Sequence, residues 1–158
     1  MTDRVEPQAS AVRLPDDYGE VEQLLPWEYA RERLSQAQNY WLCTVSATGR
    51  PHAAPLWGAW VDDRLYISGS PTTRWGRNIA SNPQVAVHLE DGNRVVMLEG
   101  IAEYHQDIGE SLALRVSEAF AAKYTNLQLQ ERSYFVVIPR RAVAWSAFPK
   151  DATRWRFS

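Results

Sequence analysis

The sequence lacks the features that mark several large classes of protein. It contains one cysteine, Cys43, so no disulfide can form within the chain, and it has no zinc-type cluster of cysteine and histidine. The longest aliphatic run, residues 95–98, is far too short to span a bilayer, and the N-terminus carries no apolar signal segment. A net charge of −2 provides no basic surface for nucleic acid. These absences predict a cytoplasmic protein that binds neither nucleic acid nor membrane.

Aromatic residues, by contrast, are abundant. The 158 residues include seven Trp and seven Tyr, which predicts that some of them line a pocket for a planar ligand or an interface as well as the core. Residues 1–23 are polar and acidic and contain Pro7 and Pro15, so they predict an N-terminal arm, either extended or disordered. Residues 24–158 are predicted to form a single domain.

Short strand-like segments dominate that domain, with only three helical patterns, which begin near residues 27, 74 and 107. Asp107 and Glu110 have the spacing of a capping box for the third helix. The strands are predicted at 40–46, 52–61, 64–68, 85–89, 94–104, 134–138 (resuming at 142–145) and 154–157, with the first three as an antiparallel meander. The pattern therefore favours a mainly β fold, a six- to seven-stranded antiparallel split β-barrel of Greek-key type.

One stretch, residues 68–79, has the composition of a phosphate site. Hydroxyls of Ser70, Thr72 and Thr73 lie in a small-residue loop that leads into a predicted helix, where Arg74 and Arg77 are three residues apart and share a face. Hydroxyls, helix N-terminal amides and two guanidiniums suit a phosphate group. The alternative is an ordinary polar loop with two solvated arginines.

The order and spacing of several segments are similar to those of the pyridoxamine 5′-phosphate oxidase-like split-barrel family. The resemblance covers roughly residues 27–104, and its segments are Asn39–Val45, Gly49–Trp57, Leu65–Ser68, Thr73–Val87 and Glu99–Gly100. It implies a homodimer that binds FMN or the deazaflavin F420 in a groove between two subunits. The residues that it implies for the cofactor are Pro55, Leu56, Trp57 and Gly58 beside the ring, Ser68 and Gly69 near the ring or its side chain, and Ser70, Thr73, Arg74, Trp75 and Arg77 at the phosphate.

The sequence departs from the family pattern at two places. Trp75 occupies a position where many relatives carry a lysine, which removes one cation from the phosphate site. This loss predicts weaker binding of the dianionic phosphate of FMN than of the singly charged phosphodiester of F420, and hence a preference for F420. The C-terminal segment 154–157 lacks the Arg-x-His pattern of true pyridoxamine phosphate oxidases, so oxidation of vitamin B6 is not predicted.

The resemblance implies an oxidoreductase that transfers hydride to a small organic acceptor and leaves the chemistry largely to the cofactor. No catalytic residue is assigned, because no triad or carboxylate pair stands out; His52 and His88 are polar candidates near the expected pocket. A second class stays open: a non-catalytic protein that binds flavin, F420 or haem, or a barrel that has lost its ligand. The sequence does not name the substrate.

Overall fold

The computed structural model describes residues 5–125, 127 and 129–158. Its helices are Trp27–Gln36 (α1), Arg74–Ser81 (α2) and Glu110–Lys123 (α3), with a 3₁₀ turn at Asp16–Tyr18. Its strands are Gln8–Ala11 (β1), Tyr40–Val45 (β2), Pro51–Leu56 (β3), Ala59–Val61 (β4), Arg64–Ile67 (β5), Gln84–His88 (β6), Val95–His105 (β7), Tyr134–Trp145 (β8) and Thr153–Arg156 (β9). Within these ranges, no helix is long and apolar enough to cross a membrane.

The strands form one antiparallel sheet that curls into an open barrel. Its order is β1-β9-β8-β7-β6-β2-β3, with β5 paired to β8 and β4 paired to β5. All of these pairings are antiparallel. The mainly β, antiparallel fold predicted from the sequence is therefore confirmed, with nine strands in the described part of the chain where six or seven were expected.

The predicted meander of three strands is wrong at its second strand. Residues 52–61 do not form one strand; β3 pairs with β2, whereas β4 crosses to pair with β5, and Trp57 and Gly58 lie at the break. Gly58 permits the crossing, because a Cβ there would lie 2.8 Å from Leu65 Cδ1 and 3.1 Å from the Tyr66 carbonyl oxygen. In the described part of the chain β3 bonds only to β2, so the barrel is split along the β3 edge.

Part of the predicted N-terminal arm belongs to the sheet. Strand β1 pairs with β9, and the amide of Val12 donates to the carbonyl of Ala152 over 2.9 Å. The amide of Glu22 donates to the carbonyl of Lys150 over 2.7 Å. Of the two alternatives for the arm, the extended one holds at these positions; the domain boundary at residue 24 stays a prediction.

Much of the aromatic content is core. One cluster lies between α1 and the sheet, where the Trp27 ring meets Trp155 at 5.3 Å and Trp60 at 6.4 Å, both edge to face. A second cluster lies under α3 and includes Phe120 and Tyr134. Each such ring buries a large apolar area, so these aromatic residues contribute strongly to the stability of the domain.

The predicted capping box of α3 is wrong. The helix begins at Glu110 after Gly109, which has a positive φ of 90° and provides no side-chain cap. The Asp107 carboxylate instead accepts from the Gly109 amide and binds the Arg132 guanidinium through two hydrogen bonds of 2.7 and 2.9 Å. Because the Asp107 carboxylate closes the turn before the helix, it does not cap the amides of the first turn of α3.

The loop between β8 and β9 is built around the buried carboxylate of Asp151. It accepts from the amides of Ser146 at 3.0 Å and Ala147 at 2.9 Å, and also from the Ser146 hydroxyl. Burial alone raises the pKa of Asp151, but these hydrogen bonds outweigh it and hold the pKa below its ordinary value. The ionised form therefore stabilises the loop.

Replacing Asp151 by Asn is expected to lower the free energy of unfolding at pH 7 by about 1–3 kcal/mol, because an amide NH₂ would face N–H donors. A depressed folded pKa gives stability that is present above the unfolded pKa, about 3.9, and is lost as pH falls through the folded value. Urea unfolding of both proteins at pH 7 and pH 3 should show the difference shrinking at pH 3. An Asp17→Asn variant in the exposed 3₁₀ turn is the control; a pH-independent difference would contradict the argument.

Candidate functional site

The loop between β5 and α2 is held by its own hydroxyls. The Thr73 Oγ1 atom accepts from the Gly76 amide at 3.0 Å and donates to the Ser70 carbonyl at 2.9 Å, so Thr73 is the N-cap of α2. The Ser70 Oγ accepts from the Thr72 amide at 3.1 Å and lies 2.7 Å from Thr72 Oγ1. The predicted hydroxyls are therefore brought together, and most of them also serve the loop itself.

Two donors and two cations remain available at the start of α2. The amides of Arg74 and Trp75 have no hydrogen-bond partner within the described part of the chain. The side chains of Arg74 and Arg77 are exposed on one face of the helix, as their spacing predicts. Arg77 Nη1 donates to the Thr72 carbonyl at 3.1 Å, which folds this guanidinium back over the loop. Free amides and guanidiniums at a helix N-terminus form an anion site.

Trp75 lies in the core and does not line this site with its side chain. Its ring is 7% exposed and meets Phe135 edge to face at 4.7 Å. A Cβ on Gly69 would lie 2.6 Å from the indole, so Gly69 provides the space that the ring occupies. The ring therefore packs on the barrel, and the predicted contact of this side chain with the cofactor is corrected. The signal was present in the sequence, because Trp75 and Ile79 are an i, i+4 apolar pair.

The four residues predicted beside the ring system differ in accessibility. Pro55 and Trp57 are exposed, Leu56 is half-buried against the core, and Gly58 is buried. Trp57 is 54% exposed and stacks on Tyr124 at 4.6 Å with an interplanar angle of 9°. Because Ala59 pairs with Tyr66, residues 55–58 also come close to the end of β5, where Ser68 begins the loop. The structure thus brings the two predicted segments to the same split.

The break at Gly58 is fixed by α3, which sequence analysis missed. Lys123 Nζ donates to the Gly58 carbonyl at 2.6 Å, and the Tyr124 hydroxyl accepts from the Gly58 amide at 3.1 Å. Lys123 Nζ also donates to the Tyr40 hydroxyl at 2.7 Å and to the Ala37 carbonyl at the end of α1 at 2.9 Å. Burial lowers the pKa of Lys123 to about 8. These contacts join residues 65 and more positions apart, so no local pattern reveals them.

A carboxylate also reaches the split. Ser68 Oγ donates to Glu131 Oε2 at 2.6 Å. Glu131 belongs to the connection between α3 and β8, and its neighbour Arg132 is bound by Asp107. Ser68 was predicted at this site, whereas Glu131, 63 positions away, was not.

Comparison with known families identifies the family to which the chain belongs. The profile of the family described as pyridoxamine 5′-phosphate oxidase matches residues 27–147, which is most of the chain. The chain belongs to this family. The resemblance inferred from the sequence is therefore confirmed. A comparison with curated proteins finds no significant match.

Solved structures similar to this pyridoxamine 5′-phosphate oxidase family member share its fold at low identity. The conserved hypothetical protein Rv2991 from Mycobacterium tuberculosis is 20% identical with a TM-score of 0.67, over 80% of this chain and 88% of that one. An F420 reductase is 23% identical with a TM-score of 0.54, over 70% and 94%. A haem-binding protein from Mycobacterium smegmatis is 20% identical with a TM-score of 0.63; the match covers 79% of this chain but 56% of that protein.

Proposed function

We propose that this member of the pyridoxamine 5′-phosphate oxidase family is an oxidoreductase that uses F420 or FMN to transfer hydride to a small organic acceptor. The observation that carries the proposal is the start of α2, which offers the free amides of Arg74 and Trp75 and, on one exposed face, the guanidiniums of Arg74 and Arg77. Such a donor set fits a phosphate group and lies at the split of the barrel. The fold shared with an F420 reductase supports the same reading.

The chain's own residues would hold the cofactor at its two ends. The phosphate would lie against α2, and the ring would lie at the split, beside Pro55 and the exposed Trp57. The bound cofactor would supply the hydride. The protein would orient the ring through the rigid segment at Gly58, whose peptide groups are bound by Lys123 and Tyr124, and would exclude water with the Trp57–Tyr124 stack.

Arg74→Ala and Arg77→Ala are each expected to weaken cofactor binding by about 1.5–3 kcal/mol, roughly ten- to over a hundredfold in Kd, because each removes a charge-assisted partner of the phosphate. Calorimetric titration with FMN and F420 measures this, and the exposed Arg13→Ala variant is the matched control. Bleaching of the bound cofactor by a candidate acceptor would establish turnover. Unchanged affinity in both variants would sink the assignment.

We further propose a homodimer. Five residues lie in register across the outer face of the sheet, all exposed or half-buried: Pro55, Trp41, His88, Met97 and Val143. A second copy would bury this row, which is apolar except for His88, since an exposed patch of this kind is typical of an interface. Sedimentation that finds a stable monomer at micromolar concentration would contradict the proposal.

A non-catalytic haem carrier is the second candidate, and one observation favours it. His88 Nδ1 lies 2.8 Å from the Leu89 carbonyl, so Nδ1 donates and Nε2 of the neutral ring is left as an acceptor. This is the arrangement of a histidine that binds a metal. Titration with haem, followed by the Soret band in the wild type and in His88→Ala, distinguishes this candidate from flavin or F420 binding.

A further inference from the structure

Three aromatic side chains meet at the surface, between the 3₁₀ turn that ends at Tyr18 and the loop that joins β8 to β9. Tyr18 is 55% exposed, Phe148 is 45% exposed, and Trp145 lies half-buried beside them. The rings of Tyr18 and Phe148 are 6.5 Å apart at an interplanar angle of 80°, and the Trp145 ring is 5.1 Å from Phe148 at 56°. Two rings nearly at right angles leave an open corner with an aromatic face on each side. We call these three residues the aromatic corner.

The two segments that carry the aromatic corner are fixed to each other. The Glu22 amide donates to the Lys150 carbonyl at 2.7 Å. A Cβ on Gly19 would lie 2.9 Å from Pro149 Cγ, so the turn lies directly against the loop. The loop itself is held by the carboxylate of Asp151, which accepts from two of its amides. The corner is therefore formed before any ligand arrives, which lowers the entropic cost of binding.

The segment that carries Tyr18 is also acidic. Four exposed carboxylates in it form no ion pair with any residue in the described ranges: Asp16, Asp17, Glu20 and Glu22. The cations of residues 13–22 and 146–151 are Arg13 and Lys150, so carboxylates are in excess. Negative charge beside exposed aromatic faces attracts a cation.

The chemistry of the aromatic corner limits which cation it suits. Aromatic rings supply no ligand atoms for a metal ion, and the described residues contain no group of three side chains that could hold one. A primary ammonium is strongly hydrated and loses that hydration at an aromatic surface. A cation whose charge is spread over methyl groups has less hydration to lose, and the faces of aromatic rings attract it. The corner therefore fits a quaternary ammonium group.

We infer that the aromatic corner binds a quaternary ammonium group, which lies against the faces of Tyr18 and Phe148 and is attracted by the carboxylates of the neighbouring turn. Trp145 packs on Phe148 and supports its ring. The inference goes beyond the proposed function and does not depend on it, because none of the three residues is assigned to FMN or F420. Both a small cation such as choline and a trimethylated lysine of another protein carry this group.

The test titrates choline into the full chain and follows the amide NMR shifts of residues 16–19 and 146–148. Its neutral isostere 3,3-dimethylbutanol, in which carbon replaces the nitrogen, is titrated in parallel. We expect choline to bind and the isostere to bind at least about fivefold more weakly, because the cation–π attraction is lost. Glycine betaine should also bind more weakly than choline, because its carboxylate is repelled by the acidic turn.

Tyr18→Leu and Phe148→Leu are each expected to weaken choline binding about two- to fivefold, the range for one exposed cation–π contact. Tyr18 lies in an exposed turn, so this variant tests the site even if Phe148→Leu disturbs the loop. Asp17→Asn should weaken choline and reduce the salt dependence of its binding. Tyr104→Leu, at an exposed tyrosine of β7, is the matched control.

Equal affinity for choline and its neutral isostere would show an apolar contact without recognition of charge, and would overturn the inference. A wild type that does not respond to choline, or unchanged affinity in Tyr18→Leu, would overturn it as well. A peptide with trimethyl-lysine and its unmethylated form then distinguish the two sources. Tighter binding of the methylated peptide than of choline identifies a protein segment as the ligand, and equal affinity identifies a small molecule; both results uphold the site.

Discussion

Replacing Trp75 by Ala is expected to lower the free energy of unfolding by about 3–5 kcal/mol, the range for a large aromatic side chain removed from a core. The ring is buried, lies on the Gly69 backbone and packs against Phe135 at 4.7 Å. Its loss leaves a cavity between α2 and the sheet that a helix of eight residues cannot close by itself. Denaturant unfolding, with an unchanged m value, measures the effect.

The control for this prediction is Leu114→Ala, at an exposed position on α3, where a change within about 0.5 kcal/mol is expected. A loss below about 1 kcal/mol for Trp75→Ala would contradict the packing role.

The buried position of Trp75 also limits what a lysine at this position can show about cofactor binding. A lysine at position 75 would lose the packing and bring an ammonium group to a buried site, so Trp75→Lys would report stability before it reported phosphate binding.

Local patterns predicted the elements of the fold well, because their signals are local. Helix α2 begins after Thr73 and ends before Asn82, where the capping hydroxyl and the following proline place its ends. The exposure of Arg74 and Arg77 on one face follows from the same helix. The part of the candidate phosphate site that α2 provides could therefore be predicted from a stretch of about ten residues.

The rest of the site depends on contacts between distant segments. Glu131 reaches Ser68 across 63 positions, and Lys123 reaches Gly58 across 65. Neither residue type is unusual in its own segment, so no sequence pattern marks it. The break at Gly58 was missed for the same reason: a glycine within a strand-like run indicates close backbone approach only when the neighbouring Leu65 and Tyr66 are known.

The sequence also did not determine whether each tryptophan faces the core or the solvent. Trp57 and Trp75 both lie in segments that the family resemblance places at the cofactor, yet Trp57 is 54% exposed and Trp75 is 7% exposed. The difference arises because α2 lies across β2, where the buried side chain of Asn78 donates to Thr44 Oγ1 at 3.0 Å. That contact turns the Trp75 face of the helix inward and the arginine face outward.

Replacing Gly100 by Ala is expected to cost at least about 3 kcal/mol, because the new Cβ would lie 2.1 Å from the Ile138 carbonyl oxygen and 3.0 Å from Pro139 Cα. Both are backbone atoms, so no side chain can move aside to relieve the clash. Glu99 pairs with Arg141 and Gly100 with Pro139, so Arg140 is the extra residue of a β-bulge. Gly92→Ala is the matched control, since nothing lies within 4 Å of its Cβ position.

The bulge also explains why this clash should reach the site. Before it, β8 pairs with β5 through Phe135–Val137; after it, β8 pairs with β9 through residues 141–144, and the Arg140 carbonyl accepts from the Phe157 amide at 3.0 Å. The bulge is thus the corner at which β8 changes its second partner. Gly100→Ala is expected to loosen β5, whose end leads into Ser68, and to weaken the binding of FMN or F420 in the fraction that still folds. If Gly100→Ala unfolds at the same denaturant midpoint as the wild type, the sheet accommodates the methyl group and the corner is not rigid.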